Sequence, residues 1–168
     1  RIYENGEEIT VSFLKKNSLF GVSSLSHLHE SESFYHASAF TRVEMETAPA
    51  KAVLNAIEAD TTVGILLIQG LSGRILQSAS MIETLKSKDT YSRLISFLLV
   101  LSRDFGVAST KGITIDLRIT QEAIAEAIGS TRVTITRLFV DLRRSGILDT
   151  DRQKITIIDP TALTKCLN

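Results

Sequence analysis

Arginine and hydroxyl side chains are concentrated between residues 120 and 145, and these residue types suit contacts with a polyanion. In residues 130–145 a single acid, Asp141, accompanies four arginines: Arg132, Arg137, Arg143 and Arg144. A guanidinium group can donate two hydrogen bonds to O6 and N7 of one guanine, and hydroxyl side chains can bind phosphate oxygens. The hydroxyls of this stretch belong to Thr120, Ser130, Thr131 and Thr134. The pattern is typical of a surface that reads duplex DNA, and a solvated basic helix face is the alternative interpretation.

These side chains must be held by two short helices joined by a tight turn. Thr120 suits the start of a helix over residues 120–128, and Gly129 suits a left-handed turn residue. Ser130 or Thr131 then suits the start of a second helix that runs to about residue 145. The spacing predicts a helix-turn-helix.

The flanking segments predict a compact domain around this motif. A hairpin with strands at 147–149 and 155–158 follows it, and Arg152 and Lys154 lie near the hairpin turn, as in a wing that touches the DNA backbone. A helix over 91–105, ended by Gly106, and a strand over 113–117 precede it.

A long helix is predicted upstream, over residues 62–88, after a shorter one over 49–59. It has a heptad-like seam of Gly64, Leu67, Leu71, Arg74, Ser78, Met81 and Leu85, and a second stripe of Ile65, Ile68, Ile75 and Ile82. One stripe can pack on the rest of its own chain and the other on a second copy, which gives a parallel dimer. Burial of both stripes inside a monomer is the alternative. Arg74 on the seam needs a partner, because a desolvated guanidinium is costly.

The first 48 residues contain short alternating runs that predict strands, at 8–14, 34–40 and 43–47. Three or four strands alone would leave ragged edges, so we expect partner strands upstream of Arg1.

The overall charge is zero, with 19 basic and 19 acidic residues, but the two halves differ. Residues 1–88 have 8 Lys/Arg against 10 Asp/Glu, and residues 89–168 have 11 against 9.

The single cysteine, Cys166, excludes an internal disulfide and favours a reducing compartment, and no apolar run suggests a membrane span. His27, His29, Glu30 and Glu32 are a weak metal-ligand candidate, and we expect no metal site and no enzyme, because no catalytic constellation is recognisable.

Six blocks of sequence together resemble the CRP/FNR family of bacterial transcription regulators, and within it the branch of cyanobacterial and plastid nitrogen regulators. They are NSLFGV at 17–22, FYHA at 34–37, GLSGRILQ at 70–77, MIETL at 81–85, RDFGV at 103–107 and AIAEAIGSTRVTITR at 123–137. The resemblance implies an α+β chain with a partial jelly-roll effector domain over residues 1–60 that lacks its N-terminal strands. It further implies a dimerisation helix over 61–88 and a winged helix-turn-helix over 89–168.

The resemblance also implies roles for residues of the second helix. Arg132 and Arg137 match the family's base-reading arginines, and Val133 stands between them where cAMP-responsive members have a glutamate. The implied target is a palindrome of GTA and TAC half-sites about 34 Å apart. Apart from the resemblance, the hydroxyls of Thr120, Ser130, Thr131 and Thr134 at the helix starts are placed to bind phosphates.

For the effector, the resemblance implies 2-oxoglutarate, bound at Phe20, Gly21, Val22 and Ser23 and by Arg74. Val22 and Ser33 replace the glutamate and arginine that cyclic-nucleotide binders need, so cyclic AMP is not expected. Ser33 and Ala79 also replace an arginine and a glutamate of the 2-oxoglutarate binders, so we expect weakened dicarboxylate binding.

The sequence therefore predicts a homodimeric transcription regulator, an activator of nitrogen-assimilation genes that also contacts RNA polymerase, in the cytoplasm or a plastid stroma. An effector-independent regulator is one alternative. An effector-binding or dimerisation protein with a structural helical tail is another.

Overall fold

The fold is described here from a computed structural model, over residues 12–25, 37–39, 42–87, 89–151 and 154–167. Six α-helices and one antiparallel sheet among these residues confirm the predicted α+β class. The α-helices are α1 (Ala50–Ala59), α2 (Thr61–Lys86), α3 (Thr90–Phe105), α4 (Gln121–Ala127), α5 (Arg132–Arg144) and α6 (Pro160–Lys165). The strands are β1 (Gly106–Ser109), β2 (Gly112–Ile115), β3 (Leu148–Asp151) and β4 (Lys154–Ile157).

The predicted β-rich first segment differs from the structure. Among the described residues no strand precedes Gly106, and residues 42–47 run as exposed irregular chain rather than as the expected strand over 43–47. A strand requires a hydrogen-bonded neighbour, and no described segment pairs with this one. The other two predicted strands, at 8–14 and 34–40, lie largely outside the described residues, as does the metal-ligand candidate at 27–32.

Helix α2 begins at a side-chain cap, and its second apolar stripe is exposed. The Asp60 carboxylate accepts a hydrogen bond from the Thr62 amide at 2.8 Å. Bonding to Thr62 also holds the pKa of Asp60 below its usual range. The predicted seam is partly covered, with Met81 buried, whereas Ile68, Ile75 and Ile82 are 64%, 69% and 68% exposed. The second stripe therefore faces solvent in a single protomer.

Contrary to the sequence interpretation, α2 contains an 18-residue stretch that is apolar enough to pass for a membrane span by length and composition, with a mean hydropathy of 1.2 over that stretch. Arg74 lies near its middle, however, and donates to the Leu19 carbonyl of the same protomer. A charged side chain tied to a preceding loop favours a helix packed against protein.

Helix α3 lies at the centre of the described core. Asp89 caps it by accepting from the Ser92 amide at 2.8 Å, and this bond lowers the pKa of Asp89. Its buried residues are Leu94, Ile95, Phe97, Leu98 and Leu101. The helix ends at Gly106, where a side chain would overlap with the Ser102 carbonyl, and the first strand begins there without a loop.

The four strands form one antiparallel sheet in the order β1-β2-β4-β3. Sequence interpretation missed two elements, β1 and α6. Strand β1 is exposed along its whole length, so it lacks the alternation that predicts a strand. Helix α6 is only six residues long, and its cap, Asp159, accepts from the Ala162 amide at 2.8 Å. Cys166 lies at the end of α6, and a hydrogen bond with it raises the pKa of Tyr91 in α3 to about 12.

Candidate nucleic-acid interface

The turn between α4 and α5 is closed by backbone bonds that depend on one glycine. Gly129 has φ +63°, a left-handed conformation that glycine adopts without strain. Its amide donates to the Glu126 carbonyl at 3.3 Å, and the Ser130 amide donates to the Ala125 carbonyl at 2.8 Å. This pair of bonds is a Schellman motif, which satisfies the last carbonyls of α4 and redirects the chain. The predicted helix-turn-helix is present, with its turn at the predicted residue.

Both helices of the motif begin at threonine caps. Thr120 Oγ1 accepts from the Ala123 amide at 3.1 Å, and Thr131 Oγ1 accepts from the Thr134 amide at 3.2 Å. Thr131 and Thr134 also hydrogen-bond to each other through their hydroxyls, 3.0 Å apart. Three of the predicted phosphate-binding hydroxyls thus act first as parts of helix N-termini, where the positive end of the helix dipole also favours an anion.

Helix α5 has one buried face and one exposed face. Ile135, Phe139 and Leu142 are buried against the domain core. At 100° per residue, the opposite face contains Arg132, Val133, Thr136, Arg137, Val140, Arg143 and Arg144, all of them exposed. Val133 is 79% exposed, more than any other large apolar side chain among the described residues. This face is free to enter a groove.

The exposed face of α5 is tied to the first turn of α4 by two polar contacts. Arg132 Nε lies 3.9 Å from Glu122 Oε2, with both side chains largely exposed. The Thr136 hydroxyl lies 2.6 Å from Gln121 Oε1. Sequence interpretation placed Gln121 and Glu122 in the first turn of the helix but gave them no partners, because these partners lie 15 and 10 residues ahead and meet them only once the helix-turn-helix is formed.

The wing lies beside this face. Strands β3 and β4 pair from Leu148↔Ile157 to Asp151↔Lys154, and Lys154 Nζ lies 3.5 Å from Asp116 Oδ1. An open cleft of about 530 Å³ separates the wing from the two helix starts; it is lined by Thr120, Gln121, Glu122, Arg132, Thr150 and Lys154. The structure thus brings Arg132, Thr120 and Lys154 to one cleft. Arg152 lies outside the described residues.

Arg74, at the middle of α2, contacts the loop that contains the other predicted effector residues. Arg74 Nη1 donates to the Leu19 carbonyl at 2.6 Å, so the guanidinium lies against the segment that contains Phe20, Gly21, Val22 and Ser23. Gly21 is left-handed, with φ +76°, and a short 3-10 turn spans Val22–Leu25. The charge on the apolar seam is thus bonded to a backbone carbonyl. Ser33 lies outside the described residues.

Comparison with known proteins identifies the family. A Crp-like helix-turn-helix domain matches residues 92–166. The global nitrogen regulator of Synechocystis sp. PCC 6803 is 53% identical over 165 residues, which cover 98% of this chain and 73% of that protein. The chain belongs to the CRP/FNR family of transcription regulators. The global nitrogen regulator of Nostoc sp. PCC 7120 is also 53% identical, over 98% of this chain and 74% of that protein.

A solved structure supports the fold of this CRP/FNR chain. A CRP-family transcriptional regulator from Thermus thermophilus superposes with a TM-score of 0.77 over 99% of this chain and 80% of that one, at 21% identity. The predicted family is therefore confirmed, and the chain is a DNA-binding transcription regulator of the CRP/FNR type. The roles of Arg132, Val133, Thr134, Arg137 and the other site residues stay predictions.

Proposed function

We propose that this CRP/FNR regulator binds palindromic DNA with GTA-like and TAC-like half-sites as a homodimer and controls nitrogen-assimilation genes. The exposed face of α5 supports this proposal most strongly, because two arginines flank an exposed valine near the N-terminal end of that helix. A recognition helix contacts base edges with its N-terminal residues. The name of the relatives, global nitrogen regulator, supports the choice of target genes.

Arg132 and Arg137 are suited to guanine, and Val133 is suited to an apolar contact such as a thymine methyl group. The guanidinium groups contact the DNA bases. The threonine-capped N-termini of α4 and α5, together with the wing, contact the DNA backbone. Half-sites of a dimer lie about 34–36 Å apart, so the two copies of α5 enter successive major grooves on one side of the duplex.

Homodimer formation is proposed through the exposed stripe of α2. Ile65, Ile68, Ile75 and Ile82 are each more than half exposed in one protomer. A stripe of this length, on a helix of 26 residues, is typical of a coiled-coil seam between two copies. Pairing of α2 with a second copy removes this surface from water and places two recognition helices on one frame.

Replacement of Arg132 or Arg137 by alanine tests the DNA contact. We expect a loss of about 1–3 kcal/mol and relaxed specificity at one base pair per half-site, measured by fluorescence anisotropy on single-base variants of the palindrome. Arg143→Ala is the matched control, since it removes the same charge from the other end of α5, where Arg143 pairs with Asp149 at 4.0 Å. The proposal is wrong if the unmodified chain does not prefer a GTA/TAC palindrome to random DNA at low salt.

Activation through contact with RNA polymerase is part of the proposal. A run-off transcription assay with the cognate polymerase tests it directly. We expect added regulator to raise transcript yield from a promoter that contains the palindrome and to leave a scrambled promoter unchanged. A fall in transcript yield in the same assay would mean that the chain is a repressor and not an activator. The regulator acts where the DNA is, in the cytoplasm or, for a plastid-encoded chain, in the stroma.

2-Oxoglutarate is the proposed effector, and Arg74 is its proposed anchor. One of the five guanidinium donors of Arg74 is bonded to Leu19, which leaves other donors for a carboxylate. Arg74→Leu should abolish any heat of binding in a calorimetric titration at millimolar 2-oxoglutarate, and Arg42→Leu, which replaces an exposed arginine before α1, should retain it. The same titration with cyclic AMP should be flat.

An effector-independent regulator is the second candidate, and one observation favours it. Arg74 already has an acceptor within its own protomer, and Ser33 and Ala79 supply no charge to a dicarboxylate. A flat titration with 2-oxoglutarate, combined with full DNA binding, would favour this candidate over the first.

A further inference from the structure

Arg93, in the first turn of α3, links three separate elements through one guanidinium group. Its Nη1 donates to the Ser87 carbonyl at 3.4 Å, and Ser87 is the C-cap of α2. Its Nη2 donates to Thr90 Oγ1 at 3.2 Å, at the start of α3, and to the Gly129 carbonyl at 3.3 Å. The last bond spans 36 residues and reaches the turn of the helix-turn-helix.

The contacts of Arg93 are costly ones for an arginine. All three acceptors are uncharged, and Nε is buried without a hydrogen-bond partner among the described residues. A partly desolvated guanidinium without a carboxylate gains little net stability, and an apolar side chain would fill such a space at lower cost. Packing alone therefore does not account for an arginine here. The planar fork of donors does, because it reaches acceptors on separate elements at once.

We infer that Arg93 is a positioning residue that fixes the orientation of the helix-turn-helix turn relative to the end of α2. This inference rests on the proposed dimer, in which the paired α2 helices form the frame that both DNA-binding domains share. The distance and angle between the two copies of α5 then depend on the joint between α2 and the turn, and among the described residues Arg93 hydrogen-bonds to both sides of this joint. Arg93 thus determines which half-site spacing the dimer selects.

Half-site spacing is a sensitive measure of this joint. Each base pair added to the centre of a palindrome moves one half-site by about 3.4 Å and rotates it by about 35° relative to the other. A rigid joint accepts one spacing and rejects its neighbours. A loosened joint accepts several spacings, because each helix-turn-helix can then reorient on its own.

The chain offers a matched control on the same helix. Arg103, near the end of α3, donates to Ser80 Oγ in α2 at 3.2 Å and pairs with Asp104 at 3.1 Å. It therefore connects α3 to α2, as Arg93 does, but its bonds do not reach the turn at Gly129. Arg103→Gln removes an arginine and a link to α2 without disturbing the contact proposed for spacing.

The test compares the full chain with its Arg93→Gln, Arg93→Lys and Arg103→Gln variants. Affinity is measured for palindromes whose central spacer is shortened or lengthened by one and two base pairs. For both Arg93 variants we expect the preference for the best spacing to fall by about tenfold, within the usual range for a coupling between sites, while affinity for a single half-site stays unchanged. Arg103→Gln should keep the preference of the unmodified chain. Lysine keeps the positive charge at residue 93 but lacks the planar set of donors. If Arg93→Lys loses the spacing preference as Arg93→Gln does, the geometry of the donors and not the charge sets that preference.

Amide hydrogen exchange provides a readout that needs no DNA. Arg93→Gln should speed exchange both near Ser87 and in the turn around Gly129 to Thr131, whereas Arg103→Gln should leave the turn unchanged. Unchanged exchange in the turn of Arg93→Gln, or an unchanged spacing preference, would overturn the inference. If the unmodified chain has no spacing preference at all, the palindrome proposal fails, and the exchange rates then decide the role of Arg93 by themselves.

Discussion

Glu122 in α4 faces Arg132 in α5 across the turn of the helix-turn-helix, with Glu122 Oε2 3.9 Å from Arg132 Nε. The carboxylate thus competes with DNA for the arginine proposed to read it. Exposed pairs of this kind contribute about 0–1 kcal/mol, so Glu122→Gln should tighten binding by up to about fivefold. The gain should appear on specific and nonspecific duplexes alike in anisotropy titrations at several salt concentrations. Glu126→Gln, on the same helix, is the control, and weaker binding by Glu122→Gln would contradict the competition.

Val133 provides a test of base choice, because its side chain is 79% exposed on the proposed reading face. A glutamate at this residue accepts hydrogen bonds from the N4 group of cytosine. Val133→Glu should therefore shift the preferred base at one position of each half-site and weaken binding to the GTA/TAC palindrome. Selection from a randomised duplex pool measures the shift. Val140→Glu, on the same face but two turns further along, should leave the base preference unchanged.

Ile75 in α2 provides a test of the dimer. Ile75→Glu places a charge on the exposed stripe and should convert the chain to a monomer in analytical ultracentrifugation. Leu66 is 61% exposed and lies on the opposite side of α2, about 180° away by helical geometry. Leu66→Glu should thus leave the dimer intact. A dimer that survives Ile75→Glu would place the interface elsewhere.

A glycine is required at residue 129 because of the backbone conformation there, and not because a side chain would clash with its surroundings. Its φ is +63°, yet a side-chain carbon added there would meet nothing within 4 Å. Gly129→Ala should therefore destabilise the domain by about 1–2 kcal/mol, the cost of a left-handed residue with a side chain. Gly73 in α2 also has open space but helical geometry, so Gly73→Ala should stabilise by up to about 1 kcal/mol. Urea denaturation measures both, and equal effects of the two substitutions would contradict this assignment.

Asp89 makes the start of α3 sensitive to acid. Its bond from the Ser92 amide lowers its pKa below the usual 3.8. A carboxyl group whose pKa is lowered by folding stabilises the fold above its unfolded pKa, and this contribution is lost as pH falls through the folded value. The unmodified chain should thus lose stability below about pH 3.8 more steeply than Asp89→Asn, whose side chain still caps the helix but does not titrate. Parallel thermal melts across that pH range provide the measurement.

The helix-turn-helix could be predicted from sequence because its signals are local. The caps at Thr120 and Thr131 and the left-handed Gly129 each act within a few residues, and the structure has all three in those roles. The long helix was predictable for the same reason. Spacing alone also identified its second apolar stripe, but left open whether that stripe is buried within one protomer.

The features that sequence did not predict depend on distant partners. Strand β1 exists because Val107 and its neighbours pair with β2, and its exposed side chains leave no periodic pattern. The contact of Glu122 with Arg132 and the bond from Arg93 to Gly129 need the folded domain before they exist. The prediction of a strand at 43–47 was wrong for the opposite reason. Its residues alternate as in a strand, but no described strand pairs with them.

Helix α3 passes into β1 with no intervening loop, since Phe105 ends the helix and Gly106 begins the strand. The Asp116 amide also donates to the Phe105 carbonyl at 2.8 Å, which fastens the far end of β2 to the same junction. The sheet and the helix are therefore joined without a flexible loop and move as one rigid unit. A rotation of the DNA-binding domain relative to α2 must then carry α3 and the sheet together, and it must break the bond from Arg103 to Ser80.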